Sequence, residues 1–124
     1  MRPMEGLLWT QRIATGDIDH LARAQPGWSL RYEQLTPGSW RGECLLAQLP
    51  GLRLVHEQHS CAVRQRGRLG EQVYGFALAL KGFGDTHFAG QRVPCDTLMM
   101  GRGDDIDLCT PAGGGFIAIV AEHA

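Results

Sequence analysis

Several kinds of residue and run are scarce in this chain, and each scarcity narrows its function. Lysine is nearly missing: of 12 basic residues, 11 are arginine and only Lys81 is lysine, a bias we read as the codon composition of a G- and C-rich genome. Against 13 acidic residues this leaves a formal net charge of −1. Such a balance gives no overall attraction to phosphates or anionic lipid, so DNA contact by this chain on its own is not expected, although a local basic strip stays open. No apolar run approaches the ~20 residues of a membrane span. Leu7-Leu8-Trp9 is too short for the hydrophobic region of a signal peptide, and the cytoplasm is the expected location. None of the four cysteines, Cys44, Cys61, Cys95 and Cys109, sits in a C-x-x-C pair. Without a leader they read as reduced thiols, mostly buried as small apolar side chains, ahead of a disulfide framework or a zinc site.

What is present is an evenly punctuated chain. The 124 residues, 44% hydrophobic and 20% charged, fit one soluble domain over residues 1–124 with a single core. The 17 glycines fall largely at breaks between short apolar or alternating runs, which favours a β-rich barrel over a helical fold. Asp17 is placed to cap a short helix carrying Ile18, Leu21 and Ala22, ended by Gln25-Pro26-Gly27. The first clear strand is expected at 28–35, with Trp28, Leu30 and Tyr32 on one face. After Thr36-Pro37-Gly38 a long strand over 39–49 turns at Pro50-Gly51 into a hairpin partner over 52–59. There, Leu52, Leu54 and His56 alternate with Arg53, Val55 and Glu57. Residues 61–68 alternate with Arg64, Arg66 and Arg68 on one parity. Residues 73–80 are apolar except for Gly75 and read as a fully buried strand. A small hairpin pairs 86–88 with 91–93, and short strands follow at 98–100 and 105–108, with Gly101-Arg102-Gly103 as a turn between them. Gly113-Gly114-Gly115 leads into a final strand over 116–120, after which only four residues remain. So early a stop suggests one module of something longer.

No motif demands a reaction. His56-Glu57-Gln58-His59 is one residue short of the metal-binding H-E-x-x-H, and on a strand its two histidines point to opposite faces. One lining or core histidine and one exposed histidine is the plain expectation. A metal-dependent barrel would need two histidines two apart, and no His-x-His occurs; His87 and Glu71 are later ligands without a first pair. Asp85 beside Thr86-His87, and His59 beside Ser60-Cys61, are chance neighbours on this reading. Asp104, Asp105 and Asp107 lack the terminal glutamate of a calcium loop, and Gly113-Gly114-Gly115 lacks the Lys and following helix of a phosphate loop. Arg64, Arg66 and Arg68 lack the interleaved aromatics of a nucleic-acid surface.

The order of these segments resembles the N-terminal regulatory domain of AraC-type transcription regulators, nearest the subgroup described after the ethanolamine operon regulator. The likeness rests on Asp17-Ile18-Asp19-His20, on the run from Gly27 to Gly38 (GWSLRYEQLTPG), on Trp40-Arg41-Gly42-Glu43, on the hairpin ending in Leu52-Arg53-Leu54, and on Asp105-Ile106-Asp107-Leu108 with Thr110-Pro111-Ala112-Gly113. It implies a mainly β fold, a cupin-like antiparallel β-barrel or jelly roll with one short N-terminal helix. It also implies an effector-sensing or dimerisation domain, not an enzyme, binding an unidentified small molecule. DNA would be engaged only through a C-terminal helix-turn-helix domain that these residues do not include, and homodimerisation is left open. Face parity nominates Tyr32, Trp40, His56, Tyr74 and Phe76 as pocket residues, each of which could equally fill the barrel. No cofactor, metal or membrane is expected. The alternative is a stand-alone cupin-like metalloenzyme with an atypical site at His56 or His87.

Overall fold

The computed structural model describes residues 6–122, which form eleven strands and one helix. In chain order these are β1 (Trp9–Thr15), α1 (Ile18–Arg23), β2 (Ser29–Gln34), β3 (Gly42–Leu49), β4 (Leu52–His59), β5 (Val63–Arg68), β6 (Val73–Leu80), β7 (Thr86–Phe88), β8 (Gln91–Val93), β9 (Leu98–Arg102), β10 (Ile106–Thr110) and β11 (Gly115–Glu122). They make two antiparallel sheets, one ordered β1-β3-β4-β11-β6-β9 and the other β2-β5-β10-β7-β8. Two antiparallel sheets whose strands cross between layers, with β11 inserted between β4 and β6, define a jelly roll, the architecture of the cupin-like barrels. Among the described residues, no helix is long and apolar enough to cross a membrane.

Local chemistry places the elements. Asp17 caps α1, its carboxylate accepting from the Asp19 and His20 backbone N–H groups. Leu21 and Ala22 then sink into the core. The β3–β4 hairpin closes at Pro50-Gly51, with Leu49 opposite Leu52 and Gly51 at φ +69°. Between the sheets lie Ile13, Leu46, Val55, Val63, Met99, Leu108, Phe116 and Val120. Alternation along each strand sends its other residues outward.

The structure departs from the sequence reading in four places. Strand β1 precedes the helix, where none is expected, because its inward positions Trp9, Gln11 and Ile13 carry a polar residue in the middle and blur the alternation. Strand β6 is not fully buried: Tyr74 and Leu78 are 42% and 44% exposed on its outer face. Its uniform apolarity belongs to a strand whose two faces meet different surroundings. Gly101 and Arg102 pair with Gly75 and Tyr74 and continue β9, and are not the turn their glycine suggests. The strand over 39–49 starts only at Gly42, since Trp40 turns inward ahead of it.

Candidate functional site

Strand β4 carries Val55, Glu57 and His59 on its inward face, and the last two place a carboxylate and an imidazole in the middle of the barrel. Glu57 is fully buried. Stranding a carboxylate in a low-dielectric interior is costly unless donors replace its water. Three side chains do so. The Tyr32 hydroxyl from β2 donates to the carboxylate, 2.7 Å from Oε1 and 3.0 Å from Oε2. Gln65 from β5 donates through Nε2 to Oε2 at 3.2 Å. Gln25, just beyond α1, reaches Oε1 at 3.4 Å, donates to the Tyr32 oxygen at 2.7 Å, and is tied back to the Leu21 carbonyl at 3.3 Å. One helix end and strands from both sheets therefore converge on a single carboxylate.

His59 sits beside this cluster between two rings. Tyr32 meets it edge-on at 5.9 Å, and Trp40 lies over it at 5.8 Å with planes tilted by 31°. Its Nδ1 is 3.5 Å from the Thr110 hydroxyl. Its Nε2 is 3.2 Å from Glu57 Oε2, close enough for ionic attraction, yet it makes no aligned hydrogen bond. The Trp40 Nε1 is likewise buried without a partner. Gly42 makes room for this indole: a Cβ there would strike the Trp40 ring. The cluster imposes itself on its neighbours. Burial, and after it the charge of Glu57, pushes the Tyr32 phenol well above its ordinary range. The same two causes raise the fully buried Cys44 thiol strongly, so it has no thiolate character at neutral pH.

An apolar cavity of ≈70 Å³ adjoins the cluster, walled by side chains such as Leu30, Phe88, Met99, Leu108 and Phe116. Its only polar lining residues are Gln25 and Gln65, the two amides that also hold Glu57. The cavity is about half the ~150 Å³ that holds a benzene-sized guest, so as it stands it suits only a few heavy atoms.

The residues nominated from sequence fall in different places. Tyr32 and Trp40 are buried and meet across His59. Phe76 is half-buried and sits on the outer-face parity of β6 with Tyr74, although its position on the strand borders the cavity. His56 lies on the outer face of β4, and Tyr74 on the outer face of β6. The expected pairing of one interior and one outward histidine in the His56–His59 stretch holds, with His59 the interior one. Glu57, Gln25, Gln65 and Thr110 are not among the residues nominated from sequence. The signal for the first was available in Val55-x-Glu57-x-His59, a charged residue sharing parity with a core valine.

The donor set does not suit a resident metal. Among the described residues Glu57 and His59 are the only buried carboxylate and imidazole, the carboxylate already faces three donors, and no three His, Cys, Asp or Glu side chains converge. His87 and Glu71 are exposed on other elements.

Two solved structures share the general outline. A cupin-2 domain protein from Rhodospirillum rubrum aligns with 17% identity and a TM-score of 0.41 over 80% of this chain and 72% of its own. A Thermotoga maritima protein described as a predicted oxalate decarboxylase aligns with 16% identity and a TM-score of 0.38 over 76% and 94%. Likeness this low carries no inference about function. No protein-family model matches the chain, and no curated protein matches it.

Proposed function

We propose that this chain is the effector-sensing domain of an AraC-type transcription regulator, taking a small molecule inside the jelly roll and passing its presence to a DNA-binding domain elsewhere in the protein. The observation that carries the reading is that the apolar cavity is lined by Gln25 and Gln65, the two amides that also donate to the buried Glu57 carboxylate. An interior that only filled the barrel would be served by leucines. Here two glutamines face the cavity on one side and Glu57 on the other, so a guest that engages either amide disturbs the cluster, which ties α1 and β2 to β4. A ligand acts as a signal only through different affinities for two states, and a rearranging amide network supplies two states. The resemblance across residues 17–113 supports the assignment to this class of regulator. The guest is a compact molecule with a short apolar body and one hydrogen-bonding end, such as a small amine, amino alcohol or alcohol.

Thermal unfolding in the presence of such compounds and small organic acids tests the sensing half. A true ligand stabilises by about 2.7 kcal/mol at a hundredfold excess over Kd, a shift of several degrees. Ala118→Val, which narrows the cavity, is expected to keep the fold and abolish the shift. No response to any compound would leave the barrel a structural element. Reading the gene beyond Ala124 tests the regulator half: two helix-turn-helix units are expected, and a stop codon there would count heavily against it.

A further inference from the structure

The outer face of the six-stranded sheet is largely apolar from β3 to β9. Strand register aligns two rows over all six strands. One runs Arg12, Leu45, His56, Ile117, Leu78, Leu98; the other runs Thr10, Ala47, Leu54, Ile119, Phe76, Met100. Eight of these twelve are large apolar residues. Seven of the eight are at least 40% exposed, rising to 55% at Leu98 and 63% at Met100. Their exposed area is roughly 600 Å², at the top of what a monomer's largest apolar patch reaches and most of the ~800 Å² each partner contributes to a standard interface.

The face is also divided into complementary halves. Over β1, β3, β4 and β11 it dips into a shallow groove of ≈550 Å³, lined by residues that include Thr10, Leu45, Ala47, Leu54, Ile117 and Ile119. Over β6 and β9 the side chains of Leu78, Leu98 and Met100 are exposed. A surface that offers a groove and, beside it, exposed apolar side chains able to enter one meets the requirement of an isologous contact, in which patch i meets patch j twice. Charge is nearly absent: Arg12 and His56 are the only ionisable members of the two rows. No acidic or basic partner is selected, while a second identical face meets no like-charge penalty.

We propose that two copies of this chain dimerise through this face, with a two-fold axis running along the strands between β4 and β11. That axis lays β9 and β6 of one copy over β1 and β3 of the other, apolar side chains into groove, as two aligned sheets about 10 Å apart. The inference concerns the outside of the barrel and stands whether or not the interior takes a ligand.

Sedimentation and light scattering across the micromolar range are the direct test, with a mass rising from 13.6 kDa towards twice that value. Leu45→Asp on β3 and Leu78→Lys on β6 are each expected to give monomers, with circular dichroism confirming the fold. Mixed together they are expected to form a heterodimer, because the axis sets β3 of one copy against β6 of the other. A monomeric wild type at every concentration overturns the proposal and leaves the face to a different partner. A dimer that survives both substitutions overturns it in favour of pairing through a sheet edge. A mixture that stays monomeric overturns the axis. A readout free of variants uses the adjacent methionines: Met99 is buried and Met100 is exposed. Peroxide oxidation of Met100 is expected to slow several-fold as concentration rises, with Met99 as the internal reference. An unchanged Met100 rate counts against the interface.

Discussion

Strand β4 presents two faces that reverse the usual order of a half-buried strand. Inward it offers Val55, Glu57 and His59; outward it offers Leu54 and His56 in a sheet whose outer rows are mostly leucine, isoleucine, phenylalanine and methionine. An ordinary antiparallel sheet of this kind keeps apolar residues in and polar residues out. The inversion costs stability twice, once by burying a carboxylate and once by wetting an apolar surface. Each cost points to a task. The inside trades packing energy for a hydrogen-bond arrangement that has one geometry. The outside exposes leucine, isoleucine and methionine side chains on the face for which a dimer contact is proposed above.

Substitutions should separate the two faces. The largest effect is expected inside. Glu57→Ala strips the acceptor from three buried donors and leaves a void, and should lower unfolding stability by about 3–5 kcal/mol in urea titrations. Tyr32→Phe keeps the ring and its contact with His59 but removes the shortest donor to the carboxylate, for a loss of about 1–3 kcal/mol. That variant also tests pH dependence. The folded phenol is held above its ordinary value of 10.0, so its contribution is fully present below that pH and is lost as pH climbs through the folded value. Wild-type stability should therefore fall above pH 10 more steeply than that of Tyr32→Phe, in unfolding curves taken at a series of alkaline pH values. Thiol labelling gives a gentler probe: Cys95, which is exposed, should react fast in the native state, and Cys44 only after unfolding. The smallest effect belongs to the surface of the five-stranded sheet. Arg64 makes a two-pronged pair with Asp107, at 3.0 and 2.9 Å, in a half-exposed setting. Breaking it with Arg64→Ala should cost under about 1 kcal/mol, and less in high salt.

The strand-and-turn order was legible because glycine, proline and parity are local signals. The β3–β4 hairpin, the small β7–β8 hairpin, the Asp17 cap and the β-rich barrel all follow from residues close together in sequence, while the jelly-roll class came from the family resemblance. The interior cluster was not legible for the opposite reason. Gln25, Tyr32, Glu57 and Gln65 are separated by up to 40 positions and are brought together only by pairing between β2 and β5 and by packing of the two sheets. Parity divides a strand into two faces without saying which one looks inward. On β4 the outer leucines made the wrong face look like the core side, which drew attention to His56. The apolar run of β6 misled in the same way, since both its faces are apolar for separate reasons.

The stacking of Trp40 on His59 gives the molecule an internal optical gauge. The other two tryptophans, Trp9 and Trp28, lie under the guanidinium of Arg53 at 5.1 and 4.5 Å, and Trp28 also lines the cavity with Gln25 and Gln65. Trp40 lies against His59, whose ring is also beside Glu57, so the light from Trp40 reports on events at the barrel's centre. Emission recorded during a compound screen, with Trp40→Phe as the blank, would watch the glutamate cluster respond without any label being attached.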